Sequence, residues 1–440
     1  MNASKNPIEA NNFGKDALKF LEKNAVVLLF LFLSIAGFLV SGQTASFFLQ
    51  EIVSRFTRNA FLVLSLIIPV VAGIGLNFAI VIGAMAGQMG LIHAMSFSAS
   101  GFSGLLLAVG ISTPLAILFG FLTGKVLNKT KGNEMIASMI LGYLVNGLYQ
   151  FIYLVLAGPV IPIPNDSMLL ESNVGLMATC SLSGTLKGTL DKLWKTSLRN
   201  FAIYGCIFLI LFAVYRIIRD VRRAKKDGRA VAYTVWLKNF TLIVAALVVL
   251  YFAFFNESAI FTLNFVDISV SVLIVIGLLC LFNVFIFKTK LGQDFRSVGH
   301  DRQVAAVVGI NVDRTRTIAI IFSTVFAAWG QIIHLQSIGT FNTYSSHEQV
   351  GLLAVASILV GGASVVKANN KQALVGVLLF HAMFAISPIA GTALFDQAQV
   401  GEFFRVFVAY GVIFVALALN AINSRKERKN ALAALNQHNR

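Results

Sequence analysis

The sequence predicts an all-α membrane protein, a polytopic bundle of about twelve transmembrane helices, and three observations carry that prediction. Hydrophobic residues make up 57% of the 440 residues and charged residues only 12%. Apolar runs long enough to cross about 30 Å of hydrocarbon recur along the chain. Basic residues gather in six segments that all fall on one side of the resulting layout, the distribution that marks the cytoplasmic face.

The first run, 25–40, follows Lys15, Lys19 and Lys23. It has the basic flank of a secretory signal but lacks a small-x-small cleavage site, so it is expected to stay as an uncleaved first helix. The next runs are 59–71, 73–96, 104–122 and 135–156; then 201–215, 240–255, 268–287 and 318–335; and finally 351–366, 373–394 and 406–422. Lys125, Lys129 and Lys131, the segment Arg216 to Arg229, Lys288 to Arg316, Lys367 and Lys371, and Arg425 to Lys429 join the N-terminal lysines on one side. Both termini are therefore expected in the cytoplasm. The net charge of +16 is read as this orientation signal plus attraction to anionic lipid, and not as a nucleic-acid footprint.

The domain reading is correspondingly simple. Residues 1–24 form a cytoplasmic segment, 25–422 a single transmembrane domain, and 423–440 a basic cytoplasmic tail. The pair of runs within 201–255, with its basic hairpin, reads as an insertion, and 288–316 as a polar cytoplasmic loop. The segment Pro159 to Asn200, with Pro162 and Pro164, is expected outside. Cys180, Cys206 and Cys280 are odd in number and scattered, which argues against a disulfide framework or a metal site.

Within the expected spans the ionisable residues are His93, His334 and His381, with no Asp, Glu, Lys or Arg between the span ends. Ion-coupled carriers usually bury a carboxylate, and acid–base or metal-assisted chemistry wants paired carboxylates or a histidine cluster. No catalytic or metal-binding residues are therefore expected. Gly120-Phe-Leu-Thr-Gly124-Lys125-Val126 has the wrong spacing for a phosphate-binding loop and lacks Ser or Thr after the lysine, so ATP must be handled by another polypeptide.

Two places interrupt a helical pattern. Pro69, Gly73, Gly75 and Asn77 fall where hydrocarbon is expected, and unpaired backbone there is tolerated only beside protein or water, as along a solute path. Gly361, Gly362 and Ser364 form a second small-residue break ahead of Lys367. Close helix packing through small residues would also explain the glycines. Gln88 and Asn146 are candidates to meet a hydroxylated solute, or else hydrogen-bond between helices; Gln331 and His93 fall under the same two readings.

The polar loop contains a short cappable helix. Asp301 can cap a run from Arg302 to Val308, Gly309 can end it in the left-handed conformation, and Asp313 can cap the span that follows. Val304, Ala305 and Val308 share one face, small enough to enter a groove on a soluble partner. An interfacial linker helix fits the same spacing.

Gly299-His300-Asp301-Arg302-Gln303-Val304-Ala305-Ala306-Val307-Val308-Gly309-Ile310-Asn311 resembles the Gly-x-Asn-x-x-Ala-Ala-x-x-x-Gly-Ile segment of permease subunits of bacterial ATP-binding-cassette (ABC) importers of the ribose, galactose and branched-chain amino acid type. Asp301 replaces the family's Asn and Val304 its first Ala. Ala72-Gly73-Ile74-Gly75-Leu76-Asn77-Phe78-Ala79 stands where such proteins have Gly-Gly-Ile-Asp-Leu-Ser-Val-Gly, and Val360-Gly361-Gly362-Ala363-Ser364 where they have Leu-Gly-Gly-Thr-Ser. The family's early acidic residue is Gly75 here, and the acidic pair it often places before Leu-Gly-Gly is replaced by Gly351 and Leu353.

The resemblance implies a bacterial inner-membrane import channel built from two permease subunits, identical or different, two cytoplasmic ABC ATPases that bind ATP and Mg, and an external solute-binding protein. Gly299 to Asn311 would be the helix that docks in the ATPase, and this chain would hold no cofactor of its own. A small neutral polar solute, a simple sugar first and a nucleoside or riboflavin-like compound second, is expected because nothing at membrane depth could balance a charge. An ion-coupled secondary transporter and an intramembrane lipid enzyme are the readings from other classes.

Overall fold

The computed structural model describes residues 7–130, 132–226, 233–411, 413–415 and 418 of the chain. Lys131, Arg229, the end of the last expected span and the basic tail with Arg425 to Lys429 lie outside the described residues. The chain is a multi-pass, all-helical membrane protein. Among the described residues nine helices are long and apolar enough to cross a bilayer, ten if the bent pair Val270–Ile286 and Lys290–His300 counts as one span. Two of the twelve expected segments are shorter helices, Ile80–Ser96 and Val350–Val360.

The elements run α1 (Pro7–Ser41), α2 (Ala45–Leu64), α3 (Ile67–Val71), α4 (Ile80–Ser96), α5 (Gly101–Lys129), α6 (Glu134–Phe151) and, after a π turn at Ile152–Leu156, a long, mostly irregular segment holding β1 (Thr179–Ser181) and α7 (Thr189–Leu193). Then come β2 (Lys195–Ser197), α8 (Leu198–Lys226), α9 (Tyr233–Phe255), α10 (Glu257–Phe265), β3 (Asp267–Ser269), α11 (Val270–Ile286), α12 (Lys290–His300) and α13 (Arg302–Val307). The last are α14 (Val312–Ile338), β4 (Thr340–Asn342), α15 (Val350–Val360), α16 (Asn370–Phe395) and α17 (Ala398–Val415).

The second helix departs most from the sequence reading. A run expected at 59–71 begins at Ala45, so Glu51, Arg55 and Arg58 belong to a membrane-length helical stretch that continues to Val71. Three charges within eight residues depress local hydropathy, yet all three side chains are half-buried in the bundle. The premise that histidines are the sole ionisable groups inside the spans is thereby corrected.

Two compact units are present: residues 1–42, 55–190 and 272–440 form one, and 43–54 with 191–271 the other. In the larger unit α14 lies against both α4 and α5. Small residues allow the approach. A Cβ on Gly83 or Gly87 would fall 2.5 or 2.2 Å from the carbonyl oxygens of Thr324 or Ala328, and one on Gly120 or Gly124 2.9 Å from backbone of α14. These are the four-residue small-x-x-x-small spacings of membrane helix contacts, where packing replaces the hydrophobic drive. Gly120 and Gly124 thus serve packing. β1 and β4 pair antiparallel, Cys180 opposite Phe341, tying the long segment after α6 to the loop after α14.

In the smaller unit α8 packs along α9, and β2 pairs antiparallel with β3, Thr196 opposite Ile268. Lys195 Nζ lies 2.6 Å from Asp267, whose backbone N–H donates to Gln50 Oε1 at 2.7 Å. Asn256 caps α10 by accepting from the Ala259 N–H.

Candidate functional site

A protruding knob forms where α11 ends. Thr289 caps α12, and Gly292 lets the chain fold back, since a Cβ there would sit 2.1 Å from the Ile286 carbonyl; the two helices meet at 76°. Asp301 breaks the helix with extended backbone, and its carboxylate accepts from the N–H groups of Gln303 at 2.7 Å and Val304 at 3.0 Å. Those two bonds hold its carboxyl below the usual aspartate range. Gly309, at φ +88°, ends the turn as expected. Asn311, not Asp313, caps α14, accepting from the Arg314 N–H at 2.9 Å.

The exposed face differs from the expected one. Ala305 is buried against the protein, whereas Val307 is 88% and Val308 74% exposed, with Val304, Ala306, His300 and Asp301 also outward. One turn of helix therefore hides Ala305 and presents three valines and Ala306.

The knob is fastened to the helix break. Gly73 and Gly75 adopt φ of +70° and +83°, and Gly73 abuts Gly299 so closely that a Cβ on Gly299 would lie 2.0 Å from the Val71 carbonyl. Arg302 spans the junction, donating to the Gly73 carbonyl at 2.8 Å and meeting Glu134 at 2.6 Å. The same Glu134 oxygen accepts from Arg316, itself 2% exposed, at 2.8 Å. A cavity of about 370 Å³ opens beside them, lined in part by Gly75, Met135 and Val365. Asn77 is buried, its Oδ1 accepting from the Ala79 N–H, and the Phe78 N–H is received by Ser138 Oγ.

Farther along α6 lies a polar wall. Gln88 donates to the carbonyls of Asn342 and Thr343, and its Oε1 lies 3.2 Å from His347 Nδ1; His347 Nε2 lies 2.7 Å from Asn146 Oδ1. Asn146 and Gln150 donate to Glu348 Oε1 at 2.9 and 3.3 Å, and the Tyr149 hydroxyl to the Thr343 carbonyl at 2.9 Å. Asn146, Tyr143, Phe78, Glu348 and Gln349 face a cavity of about 340 Å³. Such a wall offers amide groups and a carboxylate to hydroxyls.

The expected path residues thus fall in two places. Gln88 and Asn146 share the polar wall, joined by His347. Pro69, Gly73, Gly75 and Asn77 sit at the break beside the knob. Gly361 packs where α15 crosses α16, a Cβ there coming 1.8 Å from the Gln372 carbonyl; Gly362 takes φ +83°, and Ser364 caps a turn by accepting from Val366 and Lys367. Their neighbour Val365 reaches Gly75. His93 meets the Tyr153 hydroxyl at 3.3 Å, and Gln331 donates to the Ser346 carbonyl. Glu134, Arg316, His347 and Glu348 escaped the sequence reading because each lies outside an apolar run; Gln150 lies inside the run 135–156, where nothing local sets it apart from a helix-packing amide. Among the described residues no cluster of three metal-ligating side chains occurs.

The family model for branched-chain amino acid transport system permease components matches residues 48–417. Over 246 residues, 55% of this chain and 61% of the relative, the sequence is 26% identical to the xylose transport system permease protein of Haemophilus influenzae. It is 28% identical over 134 residues, 30% of this chain and 40% of the relative, to the nucleoside ABC transporter permease protein of Lactococcus lactis. Identity to the guanosine ABC transporter permease protein of Bacillus subtilis is 27% over 167 residues, 38% and 50% of the two chains. The matches span from 40 to 61% of the length of these relatives. No solved structure matches. With a match covering most of its length and a bundle of membrane-length helices, the chain belongs to the family of branched-chain amino acid transport system permease components.

Proposed function

We propose that the chain is the permease subunit of an ATP-driven importer that moves a small neutral polar solute, a simple sugar, across the bacterial cytoplasmic membrane. The observation that carries this is the knob itself: an Asp301-capped turn of helix presenting valines and fastened by Arg302 to the break at Gly73. In a cytoplasmic ABC ATPase a cleft would grip Val304, Val307 and Val308, and nucleotide-driven closure of the ATPase pair would move the knob. Arg302 and the Gly73–Gly299 contact then pass that movement to the bundle. ATP and Mg belong to the ATPase, and this chain performs no covalent step. A second permease copy or paralogue completes the channel, and an extracytoplasmic binding protein delivers the solute.

The end of the bundle that holds the knob also carries Lys125, Lys129, Arg314 and the turn with Lys367, which supports placing that end, and both termini, in the cytoplasm. Sugar-like solutes fit the amide and carboxylate wall, and the xylose relative agrees. The nucleoside and guanosine relatives support a second reading, a nucleoside of the same hydroxyl-rich character.

The test is co-purification. The double variant Val307→Asp with Val308→Asp should insert normally yet lose its ATPase, and ATP hydrolysis by the native complex should rise with one of xylose or guanosine. An intact complex in the variant would refute the docking assignment. Uptake that survives loss of the ATPase but collapses with the ion gradient would replace the importer with a secondary transporter.

A further inference from the structure

We infer that a third cavity, enclosed by α2, α14, α15 and α16 and the loop before α15, is a binding site for a neutral, hydroxyl-rich molecule, a holding site for the solute beside the polar wall. The inference rests on the importer reading for the identity of that solute.

The cavity measures about 480 Å³, within the ~300–1,000 Å³ of small-molecule sites, and its polar lining includes Asn59, His334, Ser346, Glu348, Gln349 and His381. His381 is 3% exposed, and its Nδ1 is buried without a hydrogen-bond partner; His334 Nδ1 is in the same condition. His334 also bonds to the Arg58 backbone. Since Nδ1 makes no bond, that contact uses Nε2–H as donor to the carbonyl, which leaves a lone pair on Nδ1. Buried polar atoms without partners are costly, and hydroxyl groups, which donate to the Nδ1 lone pair of His334 and suit either tautomer of His381, remove the cost.

Charge narrows the ligand. The Glu348 carboxylate lines the space and disfavours an anion. Arg55 and Arg58 act through space on both rings and disfavour a cation. A neutral molecule with several hydroxyl donors remains. Glu348 and Gln349 line this cavity and the one at Asn146 alike, so a molecule leaving one site meets the same carboxylate at the next.

The experiment measures equilibrium binding of radiolabelled xylose and guanosine to the purified chain in detergent, with wild type, His381→Phe, His334→Phe and His381→Asn. One probe should bind wild type. Each Phe variant should bind it about ten-fold more weakly, the loss of one buried hydrogen bond, and His381→Asn, whose amide oxygen replaces Nδ1, should restore most of the affinity. Size-exclusion profiles and ATPase co-purification should be unchanged in all three. Equal affinity in the Phe variants, or failure of His381→Asn to exceed His381→Phe, would overturn the site and leave a water-filled void. If ATP-driven uptake of a probe persists while the purified chain binds neither, the site falls and the importer reading stands. If no ATPase co-purifies yet a probe binds with the predicted histidine dependence, the importer reading falls and the site stands.

Discussion

Two substitutions at one ion cluster should separate folding from coupling. Glu134 is 6% exposed and its carboxylate oxygen serves both Arg316, 2% exposed, and Arg302, 33% exposed. Glu134→Ala leaves the buried Arg316 guanidinium without its carboxylate, and breaking a buried pair from one side costs about 3–5 kcal/mol. Arg302→Gln is a different loss. The remaining pair, Glu134 with Arg316, stays whole, and the exposed half of the cluster contributes only ~1 kcal/mol or less to stability. What disappears is the charge-assisted bond to the Gly73 carbonyl, worth about 1.5–3 kcal/mol, so coupling between knob and break should weaken ten-fold or more. In detergent, thermal unfolding should show a larger loss for Glu134→Ala, about 3–5 kcal/mol, than for Arg302→Gln, about 1.5–3 kcal/mol. Reconstituted with its ATPase, Arg302→Gln should keep the complex and hydrolyse ATP while solute uptake falls about ten-fold. Full ATP-coupled uptake in Arg302→Gln, or an unshifted melt in Glu134→Ala, would refute this division of labour.

Gly87→Leu should abolish recovery of folded protein, because even a Cβ at that position would stand 2.2 Å from the Ala328 carbonyl, whereas Gly110→Leu, with open space around it, should be recovered normally; size-exclusion chromatography decides. Glu348→Gln should reduce uptake several-fold with the ATPase still bound, since the amides of Asn146 and Gln150 lose their charged acceptor; transport assayed beside co-purification tests it. The depressed carboxyl of Asp301 gives a pH prediction. A lowered folded-state value stabilises the charged cap above the ordinary aspartate value of 3.8 and is lost as pH falls through the lower folded value, so the capped turn should be unchanged across the neutral range. Hydrogen exchange at the Gln303 and Val304 amides should be slow at neutral pH in wild type and fast in Asp301→Ala.

The sequence exposed the bundle because hydropathy is a sum over many residues and survives local error. It also exposed the knob: Asp301 and Gly309 act through backbone geometry that spacing alone specifies. It erred where tertiary contact overrides local pattern. Arg55 and Arg58 make α2 look short because hydropathy counts charge without seeing what surrounds it. Helical spacing groups Ala305 with Val304 and Val308, yet a single turn has two faces and only packing says which is covered. Asn311 and Asp313 are both good caps, and the choice between them depends on where Gly309 releases the chain. The polar wall was half legible. Gln88 and Asn146 stand out in apolar runs, but His347 and Glu348 lie in a polar loop whose return into the bundle, fixed by the β1–β4 pairing and the Gln88 bonds, leaves no local trace.

The break at Gly73–Gly75 explains how one small knob can act on a distant site. Gly75 lines one cavity with Met135, at the start of α6, and Val365, just beyond α15; a Cβ there would come 3.5 Å from Met135 and 3.2 Å from Val365. Asn146 stands eleven residues past Met135, about 16 Å up the α6 axis. α15 has 11 residues, about the same length, and Glu348 and Gln349 precede its first turn. Two rods of matched length therefore start at the glycine break and end on opposite sides of the Asn146–Glu348 hydrogen bond. The left-handed glycines permit the backbone to turn there without a side chain in the way, and helices resist bending far more than such a junction does. On the proposed mechanism, a displacement of the knob delivered through Gly299 and Arg302 would shift α6 and α15 against each other, with the bond between Asn146 and Glu348 taking up that shift. Locking the two rods together should freeze transport while leaving ATPase docking intact, because the valines proposed to meet the partner lie on the far side of the hinge.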